Sequence, residues 1–271
     1  MLSLFDIRQI CQEYSIVPQK SQGQNFLFDD NIVKKIITAA NLNVQDTVLE
    51  IGPGLGVLTD YLINEAGQVI AVELDKKLLG FLEKRYQSVN NLKIIEGDIL
   101  KLDINAFQLK PDYKIVANLP YNITSNFLRK FLAAPNPPSK MILMVQKEVA
   151  KRIVAKKGEM NLLAVAVQFY AEPQVLFEVS RQSFWPSPKV DSAVIKIKRK
   201  SQLFPVDQKL FFRLVKIGFS AKRKQLQNNL ANGFHLEKNQ AKDLIIKSGL
   251  AEKIRAQDLE LKDWLRILEQ L

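Results

Sequence analysis

Asn118-Leu119-Pro120-Tyr121 is the tetrapeptide whose residue types and spacing say most about chemistry. It follows an apolar run, Tyr113-Lys-Ile-Val-Ala117, that reads as a buried strand. An aromatic exocyclic amine, such as N6 of adenine, is a poor nucleophile because its lone pair is delocalised into the ring. An amide oxygen from Asn118 and a backbone carbonyl of the Leu119–Pro120 turn, both accepting from that NH2, would favour a tetrahedral nitrogen and free the lone pair. Pro120 would hold the turn, and Tyr121 would stack on the base. Attack on an activated methyl group is then an in-line displacement that needs position and electrostatics more than a titrating base. The single histidine, His235, is therefore not required.

A second constellation lies upstream. Glu50-Ile-Gly52-Pro-Gly54-Leu-Gly56 stands between a strand and a helical stretch, where glycines allow a tight turn and close approach to a ligand. The dinucleotide spacing G-x-G-x-x-G fails here, because Val57 and Thr59 occupy the positions that would need the third glycine. Glu73 closes the next strand about 20 residues on, where an acid can accept from both hydroxyls of a ribose. Asp98 closes the third, where a carboxylate can accept from an adenine amino group. Each acid taken singly reads equally well as a helix cap. In order along three strand ends they make one crevice.

These residues need a scaffold, and the apolar pattern supplies one. Thr47–Ile51, Gln68–Glu73, Leu92–Glu96, Tyr113–Ala117 and Lys140–Val145 read as short buried strands, with helical patterns at Lys76–Tyr86, Ile123–Leu132, Glu148–Ala155 and Leu162–Tyr170. Gln174–Val179 and Ala193–Lys198 alternate as two further strands around Trp185-Pro-Ser-Pro188. The expected fold is α/β: a Rossmann-like, mostly parallel seven-stranded sheet with helices on both faces. After Arg199 the strand signal ends, and Phe211–Phe219, Arg223–Leu230, Lys238–Ile246 and Leu259–Leu268 carry helical periodicity, with Gly233 and Gly249 suited to helix ends. This predicts a sheet domain over residues 1–200 and a small all-helical domain over 201–271.

Composition narrows the partners. The chain has 271 residues, 47% hydrophobic and 25% charged, with a formal net charge of +11. Between Arg181 and Lys224 basic residues recur against only Asp191 and Asp207, a distribution that points to nucleic acid. Lys189, Arg223 and Lys224 are the candidate phosphate contacts. The apolar runs are too short for a membrane span, and the N-terminus lacks the pattern of a signal peptide. Cys11 is the only cysteine, which fits a reducing cytoplasm, leaves no cysteine-built metal site, and offers no nucleophile near the strand ends for cytosine-C5 methylation.

With Gln24-Asn-Phe-Leu27, Val145-Gln-Lys-Glu148, Phe184-x-Pro-x-Pro-Lys-Val190 and Phe219–Leu230 added, the motifs closely resemble the ribosomal RNA adenine N6,N6-dimethyltransferase family, most of all its bacterial small-subunit branch (KsgA/RsmA), from about Gln22 onward. The resemblance implies S-adenosylmethionine as cofactor, no metal, and dimethylation of two adjacent adenines in the 3′-terminal hairpin of small-subunit (16S) rRNA. The substrate would be the immature 30S subunit in the cytoplasm, and the protein a monomer. It also implies cofactor contacts from Asn25 and Leu27 beside Gly52, Gly54, Glu73, Asp98 and Asn118, with Phe184 a second aromatic beside the stacked base. Two stretches depart from the family's pattern: Pro18–Gln22 supplies only Lys20, and Gly158–Leu163 replaces a Tyr-Gly-[RS]-Leu-Ser stretch. Two rivals share the fold: an Erm-type large-subunit rRNA adenine methyltransferase, and a non-catalytic RNA-binding assembly factor. The intact Asn118–Tyr121 motif speaks against the second.

Overall fold

The computed structural model describes residues 2–19 and 23–271, so Lys20 and Gln22 lie outside the described residues. Along the chain run α1 (Leu4–Glu13), β1 (Phe26–Leu27), α2 (Asp30–Ala40), β2 (Thr47–Ile51), α3 (Thr59–Glu65), β3 (Gln68–Glu73), α4 (Lys76–Arg85), β4 (Leu92–Glu96), β5 (Lys114–Asn118), α5 (Thr124–Leu132) and β6 (Lys140–Gln146). There follow α6 (Lys147–Ile153), α7 (Leu162–Tyr170), β7 (Ala171–Val179), β8 (Phe184–Trp185) and β9 (Ser192–Arg199). The last four helices are α8 (Gln208–Gly218), α9 (Leu226–Phe234), α10 (Lys238–Lys247) and α11 (Leu261–Leu268). None of the helices among the described residues is long and apolar enough to cross a membrane.

The seven-stranded sheet has the order β4-β3-β2-β5-β6-β9-β7. The pairs β3–β4, β2–β3, β2–β5 and β5–β6 are parallel, and β9 runs antiparallel to β6. Every residue of β2 is buried, so both faces of the central sheet are covered, as parallel strands require. On one face Val48, Val69, Val116 and Ile142 pack against Val33, Ile36 and Ala40 of α2 and Leu62 of α3. The chain starts at β2, moves outward to β4, then returns to β5 on the other side, so the strand order reverses between β2 and β5. That reversal is where ligands of doubly wound sheets bind, beyond the carboxyl ends of the strands.

By its internal contacts the chain forms two compact units: Met1–Ala150 with Pro173–Arg199, and Lys151–Glu172 with Lys200–Leu271. The second unit thus includes α7 as well as the C-terminal helices. Its aromatic centre explains the grouping, because Phe169 lies 4.6 Å from Phe211, 5.2 Å from Phe212 and 5.9 Å from Phe204, ring centre to ring centre. The Gly158–Leu163 stretch is tied down within the same unit. Gly158 and Met160 both donate their N–H groups to the Gln257 carbonyl, and Asn161 caps α7.

Two local expectations change. The helix expected from Arg223 starts at Leu226 instead, which leaves Lys222, Arg223 and Lys224 in the preceding turn. Arg223 and Lys224 in a first helical turn, with Lys222 just before it, would oppose the helix dipole, and the helix begins after them. Gly233 lies inside α9, close against the Ile217 side chain where a Cβ would clash, and His235 takes the left-handed cap at φ 56°. Gly249, at φ 71°, does follow a helix end.

Candidate active site

The glycine turn, the strand-end acids and the asparagine line one cleft at the β2/β5 reversal. It encloses about 1060 Å³ with its open mouth and is lined by all seven residues expected to hold a cofactor: Asn25, Leu27, Gly52, Gly54, Glu73, Asp98 and Asn118. Pro120 lines it as well. Gly52, Gly54 and Gly56 all adopt left-handed φ angles of 60–81°, the reason glycine recurs in this turn. Side-chain bulk at Gly56 would also meet the Tyr86 hydroxyl, which donates to the Gly56 carbonyl at 3.0 Å.

Glu73 is 5% exposed, and its carboxylate accepts N–H groups from Gly54 (3.1 Å), Leu74 (2.8 Å) and Asp75 (3.0 Å). Burial raises its pKa and these three backbone bonds oppose the rise. A carboxylate offers about four acceptor directions, so about one remains for a ligand hydroxyl. Asp98 accepts the Leu100 N–H at 2.9 Å through Oδ1, and among the described residues the exposed Lys101 ammonium, 3.7 Å away, is its one ion-pair partner, at Oδ2. The apolar walls were not legible in the motifs. Leu74 and Ile99, each directly after one of the two acids, line the cleft, and Leu74 is 51% exposed despite its size.

Asn118 ends β5 between two parallel neighbours, so its backbone is held on a rigid element. Its Nδ2 donates to the Asn25 carbonyl at 3.3 Å, which assigns the amide orientation and leaves Oδ1 as the outward acceptor. Asn25 in turn donates to the Gly23 carbonyl at 3.0 Å. The segment carrying Asn25 and Leu27 is anchored by strand pairing, with Phe26 opposite Trp185 and Leu27 opposite Phe184.

The remaining expected residues separate from the cleft. Leu119 is buried, and its N–H donates to the Met144 carbonyl. Tyr121 does not line the cleft, and its hydroxyl reaches Ser192 at 2.7 Å. Phe184 is 3% exposed and belongs to the core cluster with Leu27 and Val33. A ring so covered has no free face for a base, so in this conformation Phe184 supports β1 rather than presenting itself to substrate. Lys189, in the first unit, and Arg223 and Lys224, in the second, are exposed, and none is in an ion pair among the described residues. Cys11 is buried beside Phe81 and Leu82, and burial pushes its thiol up to about 11.

Glu50, one residue before the end of β2, also lines the cleft. It is 1% exposed and accepts the Thr59 hydroxyl at 2.7 Å, which ties the strand to the first turn of α3. Burial pushes its carboxyl up to about 8; the Thr59 bond opposes this, and the charges of Glu73 and Asp60 add to it. An acid whose folded pKa lies above its unfolded value of 4.5 stabilises the fold fully below about pH 4.5, and that contribution is lost as pH rises through about 8. Glu50→Gln keeps the shape and an acceptor for Thr59 without the charge. The variant is expected to melt with the parent near about pH 4.5 and above it near about pH 8.5, measured by calorimetry without cofactor. A melting difference that does not change with pH would mean that folding does not raise the Glu50 carboxyl above its ordinary range.

The chain matches the family described as ribosomal RNA adenine dimethylase over residues 18–271. It is 43% identical over 260 residues to the ribosomal RNA small subunit methyltransferase A of Dehalococcoides mccartyi, covering 95% of this chain and 89% of that one. To the protein of the same name from Moorella thermoacetica it is 39% identical over 278 residues, covering 97% and 95%. Among solved structures it is similar to a dimethyladenosine transferase from Plasmodium falciparum, with a TM-score of 0.78 at 30% identity over 90% of this chain and 96% of that one. It is also similar to the 23S rRNA methyltransferase ErmE, with a TM-score of 0.73 at 26% identity over 91% and 99%.

Proposed function

The chain belongs to the ribosomal RNA adenine dimethylase family, and from that premise we propose that it dimethylates N6 of two adjacent adenines in the 3′-terminal hairpin of small-subunit rRNA. The observation that carries this reading is the convergence of the glycine turn, Glu73, Asp98 and Asn118 on one cleft at the strand reversal. The donor set suits S-adenosylmethionine: Glu73 for ribose, Asp98 for the adenine amine, Leu74 and Ile99 as apolar faces, and Asn25, Leu27 and the glycine turn along the remainder. When bound, the cofactor supplies a methyl group on a positively charged sulfur.

The chain's own part is to present the nitrogen. Asn118 Oδ1 accepts one amine hydrogen. The Leu119 carbonyl, next along the turn, is assigned the second hydrogen, while the Pro120 and Tyr121 carbonyls each already accept one bond, from the Ile123 N–H at 3.2 Å and the Thr124 hydroxyl at 3.4 Å. Both acceptors draw the nitrogen toward tetrahedral geometry, and Tyr121 stacks on the base. Residues 1–200 carry the cofactor and the chemistry, and 201–271 grip RNA. The working form is a monomer in the cytoplasm acting on the immature 30S subunit.

Incubation with labelled cofactor and undermethylated subunits, followed by mass spectrometry of the RNAs, tests the reading. The expected product is N6,N6-dimethyladenine in small-subunit rRNA and none in large-subunit rRNA. Dimethylation confined to large-subunit rRNA would make this an Erm-type enzyme, and no methylated adenine in either would leave a non-catalytic factor. For the grip itself, neutralising Arg223 or Lys224 should weaken particle binding and lower the salt slope by about one unit or less each. Unchanged affinity and slope in both variants would make that turn a solvated surface.

A further inference from the structure

We propose that Ser192 is a positioning residue for methyl transfer, its hydroxyl fixing the Tyr121 ring as a preformed stacking surface. This rests on the adenine-methylation reading above and adds to it a residue outside the cleft.

Ser192 opens β9 and is 0% exposed. Its backbone is registered opposite Gln146 in the antiparallel ladder with β6, whose other neighbour is β5, the strand that ends at Asn118. The next three residues of β9, Ala193, Val194 and Ile195, are apolar and buried. An apolar side chain would therefore fit at 192 without the desolvation that a buried hydroxyl brings. A hydroxyl so placed needs a partner, and the Tyr121 phenol provides it at 2.7 Å.

The bond acts at the far end of the half-buried Tyr121 side chain, beyond the backbone of the Asn118–Tyr121 turn. The backbone on either side of Tyr121 is held by the Pro120 carbonyl accepting from the Ile123 N–H and by the Tyr121 carbonyl accepting from the Thr124 hydroxyl. The ring beyond turns about two side-chain torsions, and anchoring its far end to a residue of the sheet ladder restricts both. A surface ordered in advance spends none of the binding free energy on ordering when the base arrives. Ser192 thus acts through Tyr121 on the transfer step, while cofactor and bulk RNA contacts stay as they are.

The test compares Ser192→Ala, Tyr121→Phe, the double variant and Tyr121→Ala in the full chain with undermethylated small subunits. Ser192→Ala and Tyr121→Phe are each expected to slow single-turnover methyl transfer about five- to tenfold, the rate equivalent of one hydrogen bond. KM for the particle and cofactor affinity by calorimetry should stay within about twofold, and the double variant should be no slower than either single one. Parent rates in Ser192→Ala, a slow Ser192→Ala beside a parent-like Tyr121→Phe, or effects that multiply in the double variant would each overturn the proposal. Tyr121→Ala separates the two levels. If it is slow while the hydroxyl variants match the parent, only the tether fails; if it transfers at the parent rate, the stacking reading fails with it.

Discussion

Asn118→Ala is expected to slow methyl transfer by about a hundredfold or more, the scale of losing one polar group aimed at a reacting centre. The magnitude follows from where the amide stands. Asn118 closes a strand paired on both sides, and the Asn25 carbonyl holds its NH2, so Oδ1 is set before substrate arrives. Alanine removes the acceptor and leaves the Leu119 carbonyl to bind the amine alone, without the second pull toward tetrahedral nitrogen. Affinity for the small subunit should remain within about twofold, because the residue contributes no charge to the RNA grip. Some loss of cofactor affinity is expected too, since the Asn118–Asn25 bond steadies a segment that lines the same cleft. Single-turnover rates at saturating cofactor separate the two effects. A variant that transfers at the parent rate would remove the Asn118–Tyr121 turn from the chemistry.

Glu73→Ala is expected to weaken S-adenosylmethionine binding by about 1–3 kcal/mol, measured by calorimetry, as buried polar partners lose their acceptor. The structure adds a second consequence. Three backbone N–H groups, from Gly54, Leu74 and Asp75, end on this carboxylate, so its removal also frees the glycine turn and the start of α4. The melting temperature should fall together with the affinity. Glu73→Gln separates the two effects, because an amide retains one oxygen acceptor but turns an NH2 toward N–H groups. It should bind between the parent and the alanine variant. Unchanged affinity in both would put the ribose somewhere other than the end of β3.

Much of this is legible in the sequence itself. Strands β2 and β3 fall where the buried apolar runs put them, because a parallel strand covered on both faces is largely apolar, whereas β4, at the sheet's edge, is found at its expected place but only partly buried. The strand-end residues Gly52, Glu73, Asp98 and Asn118 were legible for the same reason. Once parallel strands are in place, their carboxyl ends share one side of the sheet, whatever else the chain does. The αL glycines and the caps are written within a few residues of the backbone they serve.

What the sequence could not display are relations between residues far apart along it. The β1–β8 pairing joins Phe26 to Trp185 through two residues on each side, too few to leave a periodic signal, yet it anchors the segment bearing Asn25 over the cleft. Phe184 looked like a free stacking ring, and only packing shows it covered. Likewise α7 reads as one more helix of the sheet domain until Phe169 is seen among Phe204, Phe211 and Phe212. The acceptor that the Asn118 amide NH2 finds and the three N–H groups on Glu73 decide which lone pairs remain for a ligand, and both depend on directions in space. Periodicity along a chain records which face is buried and where a strand must stop. The partner a polar group finds is set by tertiary distance, which sequence spacing does not encode.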